Sequence, residues 1–475
     1  MSSLTRLFLL GVTCLTASAI TAQTMTLREV VDRAVEQSLL VEGAEQELAL
    51  SRVDLRQTER SRYPSLALQN SGGYQFGLNV DPTTNLLERQ TIGFLNFSLD
   101  AGATLYGGGR INNTLKQNRA SVAAAEASLA DRRQDVALQA TQLYLEALLA
   151  AEALDNAELL RNQIAAQLRT LEGRITAGQL APVDRFESDA RLARQEQAVV
   201  AAGSARRLAV LRLEQLLRLP PGTSLEVSVP ETLDLDGVQV PDVDAAALYA
   251  AARDRQPGVR AAELNQEAAA AGIEVAKSGY RPTLNAFGQA NTRYSSQAIR
   301  RVPDGTATIS EQTVLFNGQE VTFGFPQPNL AIEEIPLTEQ LSDFFGQAVG
   351  LSLRIPIFSQ GQNDATLARA ETRLAQARLQ REQEELDLRS ETEQALLNAR
   401  NARAEVAAAR RALAAAQAAF DAATRRAELG AGNDFDLSDQ QLLLEQAQIT
   451  LLRARYQYVF NAKVVDFYLG RPLTL

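Results

Sequence analysis

The sequence predicts a mainly α fold built from very long helices, with four amphipathic β-strands set between them. Three observations point there. Apolar side chains recur every seventh residue through one long stretch. Two pairs of short segments alternate apolar and polar residues, and the whole order occurs twice.

The duplication shows at several places along the chain. "RITAGQLAPVDRFES" and "RAELGAGNDFDLSDQ" share Arg, Gly and Asp at one offset, from 174 to 426, 178 to 430 and 184 to 436. "LDAGATLYGGGRINN" and "LSLRIPIFSQGQNDA" keep that offset, with Leu99 on Leu351 and Gly109 on Gly361. Further upstream, Pro64 of "RYPSLALQ" falls on Pro282 of "YRPTLNAF" at a shorter offset, so the second copy is enlarged between its two strands.

Residues 1–22 read as a secretory signal: Arg6 is the positive end, Leu7 to Leu15 the apolar core, and small residues lead to Ala22. The first repeat, 23–219, opens with a helical pattern over Leu27–Arg62. A strand, loop and strand follow at 65–106, then a long helix at 110–172, a Gly-containing turn and a helix at 184–218. Residues 220–243, with several prolines and a short alternating run, read as a linker belt. The second repeat, 244–475, has a helix up to Lys277 and a strand, loop and strand at 282–358, with an enlarged loop at 299–343. Helices at 362–426 and 436–469 complete it.

In the first long helix Leu115, Val122, Leu129, Val136, Leu143, Ala150, Ala157, Ile164 and Leu171 form a heptad stripe, the signature of left-handed helix packing. The second keeps Leu367, Leu374 and Leu388, is interrupted at Arg381, then turns to alanine in "AEVAAARRALAAAQAAF". At 1.5 Å per residue the first long helix spans roughly 90 Å, so two shorter helices end to end match one long one, which implies a rod.

The strands alternate. Leu95, Phe97, Leu99, Ala101, Ala103 and Leu105 share one face and Asn96, Ser98, Asp100, Gly102 and Thr104 the other. Val349, Leu351, Leu353, Ile355 and Ile357 likewise oppose Gly350, Ser352 and Arg354. Such a pattern suits a half-buried sheet in water or a strand between lipid and a wet lumen. Each strand approaches the ~9–11 residues that cross a bilayer, and no apolar run is long enough for a spanning helix. Four strands cannot close a membrane barrel alone, so strands in lipid require several copies to share one barrel.

Composition closes off other classes. A net charge of −10 without a basic stripe argues against nucleic acid. Histidine is absent, and the single cysteine, Cys14, lies in the apolar core of the signal without the small residue before it that lipidation wants. Zinc sites and His-based acid–base chemistry are therefore excluded. No Ser–His, Cys–His or phosphate-loop motif appears, so neither an enzyme nor a bound cofactor or metal is expected. "YGGGR" (106–110) lacks the lysine of a phosphate loop and fits a sharp strand-to-helix bend.

Asp434, Asp436 and Asp439 crowd the start of the last helix, as Asp184 marks the start of its counterpart. Aspartates there cap free N–H groups and favour the positive helix end. They would equally concentrate negative charge if several copies met at that point.

The strand exits "LYGGGRIN" and "RIPIFSQGQ", the turns "RITAGQLAPVDR" and "AELGAGNDFDLSD", and the tail "ARYQYVFNAKVVDFYLG" resemble the TolC family of outer-membrane factors across nearly all of the chain past the signal. The resemblance implies a homotrimer with a shared 12-stranded barrel in outer-membrane lipid and a helical tunnel across the periplasm of a Gram-negative bacterium. It also implies a periplasmic adaptor protein and an inner-membrane pump as partners, in efflux or type I secretion. By the same resemblance Asp184, Asp436 and Asp439 would ring the periplasmic aperture, with Gly178, Gly430 and Gly432 in the tip turns. Ala427 and Gly432 stand where the best-known relative places latch tyrosine and arginine. Closure would then fall to Arg425 or Arg426 with a neighbouring carboxylate. The competing reading is a periplasmic coiled-coil adaptor or scaffold, which the duplicated strand pairs disfavour.

Overall fold

The computed structural model describes residues 23–80, 87–89, 91–179, 181, 183–220, 225–226, 240–429 and 434–472. The chain divides into two compact units. One holds the residues up to Arg52, Ala120–Glu267 and everything from Ala375; the other holds Val53–Arg119 and Ala268–Leu374.

The first unit is helical. It draws on α1 (Leu27–Gln37), α2 (Leu39–Arg60), α3 (Arg110–Thr176), α4 (Asp184–Leu216), α5 (Ala245–Arg253), α6 (Pro257–Lys277), α8 (Gln362–Glu428) and α9 (Asp434–Tyr468). The long helices α3 and α8 each contain 67 residues, the repeat offset preserved at both ends. Every position of the α3 stripe from Leu115 to Leu171 is buried or half-buried. Within this unit α3 presents Val136, Tyr144 and Leu148 to Val30 and Ala34 of α1, Leu213 and Leu217 of the α4 end, and Tyr456 and Val459 of α9. A second cluster joins Leu248 and Ala252 of α5, Val259 of α6, Leu388 to Ala399 of α8, and Val465 and Tyr468 of α9.

The helices that begin each repeat, read from sequence as continuous, are each broken. Ser38 leaves the helical region with ψ at 127°, and its hydroxyl accepts from Leu40 N–H at 3.3 Å. In the second repeat the break falls just before Pro257, where the proline ring disfavours α conformation in the residue ahead of it. A capping box, with Thr26 and Glu29 each accepting from the other's backbone N–H, starts α1. Gln23–Thr24 pairs in parallel with Leu225–Glu226, so part of the linker forms a strand; most of 220–243 lies outside the described residues.

The second unit is built on β1 (Ser65–Gln75), β2 (Ile92–Gly107), β3 (Thr283–Ser295) and β6 (Gly346–Arg354), an antiparallel sheet in the order β6-β3-β2-β1. Its register aligns the apolar faces of all four strands: Leu68 opposes Leu99, Leu99 opposes Ala290, and Leu351 opposes Ala286. Gln69, Ser98 and Asn291 form the other face in the same rows. Leu105 is the exception. A bulge between Thr104 and Tyr106 breaks the alternation and sets Tyr106 opposite Leu284.

The bend after β2 needs its glycines. Gly108 has φ of 64°, and a Cβ there would stand 2.8 Å from the Arg281 Cβ and 2.9 Å from the Ser278 carbonyl.

The enlarged segment 299–343, expected as loop, is ordered instead. It holds a hairpin of β4 (Ile299–Phe316) and β5 (Gln319–Glu334), followed by α7 (Leu337–Asp343). Asn317 and Gly318 both have positive φ, the type I′ turn that an Asn-Gly pair favours.

Candidate functional site

The candidate site lies in the helical unit, where α3 turns into α4 and α8 into α9. The first turn closes by a complete Schellman motif: Gln179 N–H donates to the Arg174 carbonyl and Gly178 N–H to that of Ile175, both at 2.9 Å. Gly178, at φ of 73°, supplies the left-handed residue that motif needs. Gly430 and Gly432 lie outside the described residues.

Asp184 occupies the first helical position of α4, with Val183 as the cap and no side-chain capping bond. The Asp184 side chain lies outside what the structure describes. Asp436 is the third residue of α9, and its Oδ2 lies 3.1 Å from Arg426 Nη2, both side chains being about half exposed. The pair joins the end of α8 to the start of α9. Asp439, one turn further along the same face, is exposed and makes no ion pair among the described residues. Arg425 donates from Nε to the Asp421 carbonyl at 3.2 Å, as Arg426 does to that of Ala422 at 3.4 Å, and of the two Arg426 is the one paired with Asp436.

Several contacts behind the turns were not singled out from sequence. Arg185 bridges Glu172 of α3 at 3.1 Å and Asp189 at 3.3 Å. Glu187 of α4 accepts from Arg191 at 3.3 Å and from the Ser438 hydroxyl of α9 at 3.4 Å. Glu445, one helical layer deeper, has its carboxyl pushed up by burial, with Arg191 and a Gln441 hydrogen bond pulling the other way. Gln195, almost fully buried, donates to the Ala157 carbonyl at 2.9 Å. The Glu172–Arg185, Glu187–Ser438 and Gln195–Ala157 contacts join different helices, so no local spacing announced them. No group of His, Cys, Asp and Glu able to hold a metal occurs among the described residues.

Residues 30–217 and 340–471 match the outer membrane efflux protein family over most of the chain. The chain belongs to that family. The outer membrane efflux protein BepC of Brucella suis biovar 1 (strain 1330) is 22% identical over 394 residues, covering 82% of this chain and 74% of the relative. Among solved structures, CusC superposes with a TM-score of 0.74 at 19% identity, covering 94% of this chain and 92% of its own. The outer membrane protein VceC of Vibrio cholerae gives 0.71 at 16% identity, covering 94% and 96%.

The efflux-protein fold is therefore shared nearly end to end, helices and strands included. The family is one of outer-membrane channels of Gram-negative bacteria that extend into the periplasm, and this chain is placed there with it. No helix among the described residues is long and apolar enough to cross a membrane. The four-stranded sheet is the element whose apolar face suits lipid.

Proposed function

We propose that this chain is the exit duct of a tripartite efflux or type I secretion system. It would conduct substrates passively from an inner-membrane pump, joined through a periplasmic adaptor, across the outer membrane. Three copies would close one 12-stranded barrel, each giving the four strands β1, β2, β3 and β6. One observation carries this reading above the others: the sheet has a predominantly apolar face, interrupted only by Asn70, Thr292 and Gln347, an opposite face richer in polar residues, and outer edges on β1 and β6 that pair with no strand among the described residues. Val349, Leu351 and Leu353 on the edge strand are 62–89% exposed, and edges of that kind are not tolerated in lipid unless another copy closes them.

At the helical end, three copies of Asp184, Asp436 and Asp439 would form rings of negative charge at the narrowest point. Asp436 is partly neutralised by Arg426, which leaves Asp439 as the exposed carboxylate. An exposed pair of this kind is worth at most ~1 kcal/mol, weak enough to be released when a partner docks. The Arg426–Asp436 link would thus hold α8 to α9 in the resting tip. The MtrE outer membrane channel of Neisseria gonorrhoeae, similar in fold, has been solved in an open state.

The deciding experiment is single-channel conductance of the purified protein in planar bilayers, with D436A and D439A alongside. Cation-selective steps that lose selectivity in the variants support both the duct and the aperture. Steps indifferent to the changes keep the duct and leave the aspartates as helix-end residues. A folded oligomer that conducts nothing overturns the duct.

A further inference from the structure

The β4–β5 hairpin has two unlike faces. The register places Val314 opposite Val321 and Phe316 opposite Gln319, and sets Phe323 and Phe325 on the same side, their rings 6.4 Å apart. From Thr308 to Gln327 this side carries no charged residue, whereas the reverse side carries Glu311 and Glu320 beside exposed Ile309 and Leu315 and has no aromatic ring. Val314, Phe316, Phe323 and Phe325 are all exposed. A lone two-stranded hairpin is marginal in water, and an aromatic face left wet makes it more so, which calls for a cover.

The root of the hairpin is fixed. Gln340, the most buried polar side chain of this unit, accepts from Ser295 N–H at 2.8 Å and donates to the carbonyls of Ser295 and Ile335 at 3.0 and 2.7 Å. Arg300 pairs with Glu333 at 3.2 Å and also with Glu339 of α7, and the Thr292 hydroxyl donates to the Leu341 carbonyl. A bulge between Pro303 and Ala307, held by Thr306 donating to Asp304, then redirects the strands. At about 3.3 Å per residue each strand of the hairpin is roughly 50–60 Å long, so most of this face lies away from the fixed root.

We propose that the β4–β5 hairpins of neighbouring copies pack against one another through this uncharged aromatic face and so narrow the outer mouth of the shared barrel. The inference rests on the trimeric duct proposed above. The hairpin springs from β3 and returns to β6, the strand whose open edge must meet another copy, so its root lies beside that seam. Like copies meeting through the uncharged side face no charge repulsion, while the acidic side would repel itself and stays in solvent.

The test uses the full-length protein in a C14A background with F323C or F325C on the aromatic face and T322C on the reverse. Oxidation of the intact trimer is expected to give covalent dimers with F323C and F325C and none with T322C. A loss of bilayer conductance that a reducing agent reverses should accompany the cross-link. Replacing residues 307–328 by a two-residue turn should raise unitary conductance. Intact trimers in which F323C and F325C stay uncross-linked, or in which all three positions cross-link equally, overturn the proposal. Unchanged conductance after removal of the hairpin does so as well. If the C14A parent forms no trimer and no channel, it is the duct reading that fails.

Discussion

Along α3 seven of the nine heptad positions carry Leu, Val or Ile, Ala150 and Ala157 being the others, with Tyr144 and Leu148 buried beside them; along α8 they carry Ala395, Ala402, Ala409, Ala416 and Ala423 after Leu388. The two helices have the same length and descend from the same repeat, yet they solve packing differently. Where α3 fills space with large side chains gathered from four neighbouring helices, α8 uses small ones against Leu451, Ala454 and Tyr458 of α9. Interhelical distance follows the side chains at the contact, so alanine lets α9 lie close while leucine holds neighbours apart. The lesson is that the period fixes which face is inward, and residue size fixes how near the next helix comes.

The sharpest way to break that contrast is to empty the α3 side. Leu148→Ala should cost about 2–5 kcal/mol, read as a large fall in the thermal midpoint of the detergent-solubilised protein. A change confined to a few tenths of a kcal/mol would mean the α3 core collapses freely and is not packed as described.

The converse change overfills α8. Ala402→Leu, at a position 2% exposed, should cost about 1–3 kcal/mol through steric crowding against α9. A neutral or stabilising outcome would show that the alanine face has spare room.

A third prediction concerns a layer where the two long helices meet acid to acid. Asp131 of α3 and Glu384 of α8 both approach the start of α6, where a Cβ on Gly258 would stand 2.9 and 2.7 Å from their oxygens. Burial, then neighbouring carboxylates, pushes both carboxyls up, and burial does the same to Glu391, partly offset by its bond from Tyr468. A carboxyl whose pKa is higher in the folded state stabilises fully at acid pH and loses that contribution as pH rises through the raised value. Stability should therefore decline from mildly acidic toward neutral pH, and D131N/E384Q should flatten the decline. An unaltered slope in the double variant would assign the decline to other groups.

The smallest effect on stability belongs to the tip. Arg426→Ala should shift the midpoint by less than ~1 kcal/mol, because the pair is exposed, while raising resting conductance. If charge reversal at Arg425 and Arg426 together leaves resting conductance untouched, neither arginine takes part in closure.

Much of this architecture was legible because it is periodic. Alternation in "FLNFSLDAGAT" fixed which residues share a face, and sevenfold spacing fixed the inward stripe of α3, since both depend only on local backbone geometry. The Gly178 turn and the YGGGR bend were legible for the same reason: a positive φ has few residues that accept it. Long-range choices were not legible. Arg381 interrupts the apolar stripe of α8 in sequence, but in the fold it pairs with Glu385, which Arg253 of α5 also reaches. The selection of Arg426 over Arg425 as the partner of Asp436 depends on where two helix ends meet, and the hairpin in 299–343 was hidden by weak, proline-interrupted alternation.

By itself, then, the sequence determined the duplication, the heptad and alternating faces, and the glycine turns, because each is a property of neighbouring residues and their dihedrals. Only the tertiary structure decided the alignment of four apolar strand faces in one sheet, the bulge that displaces Leu105, the Arg426–Asp436 link and the aromatic face of the hairpin. Those depend on register and on contacts between residues far apart in the chain, which the spacing of neighbours does not encode.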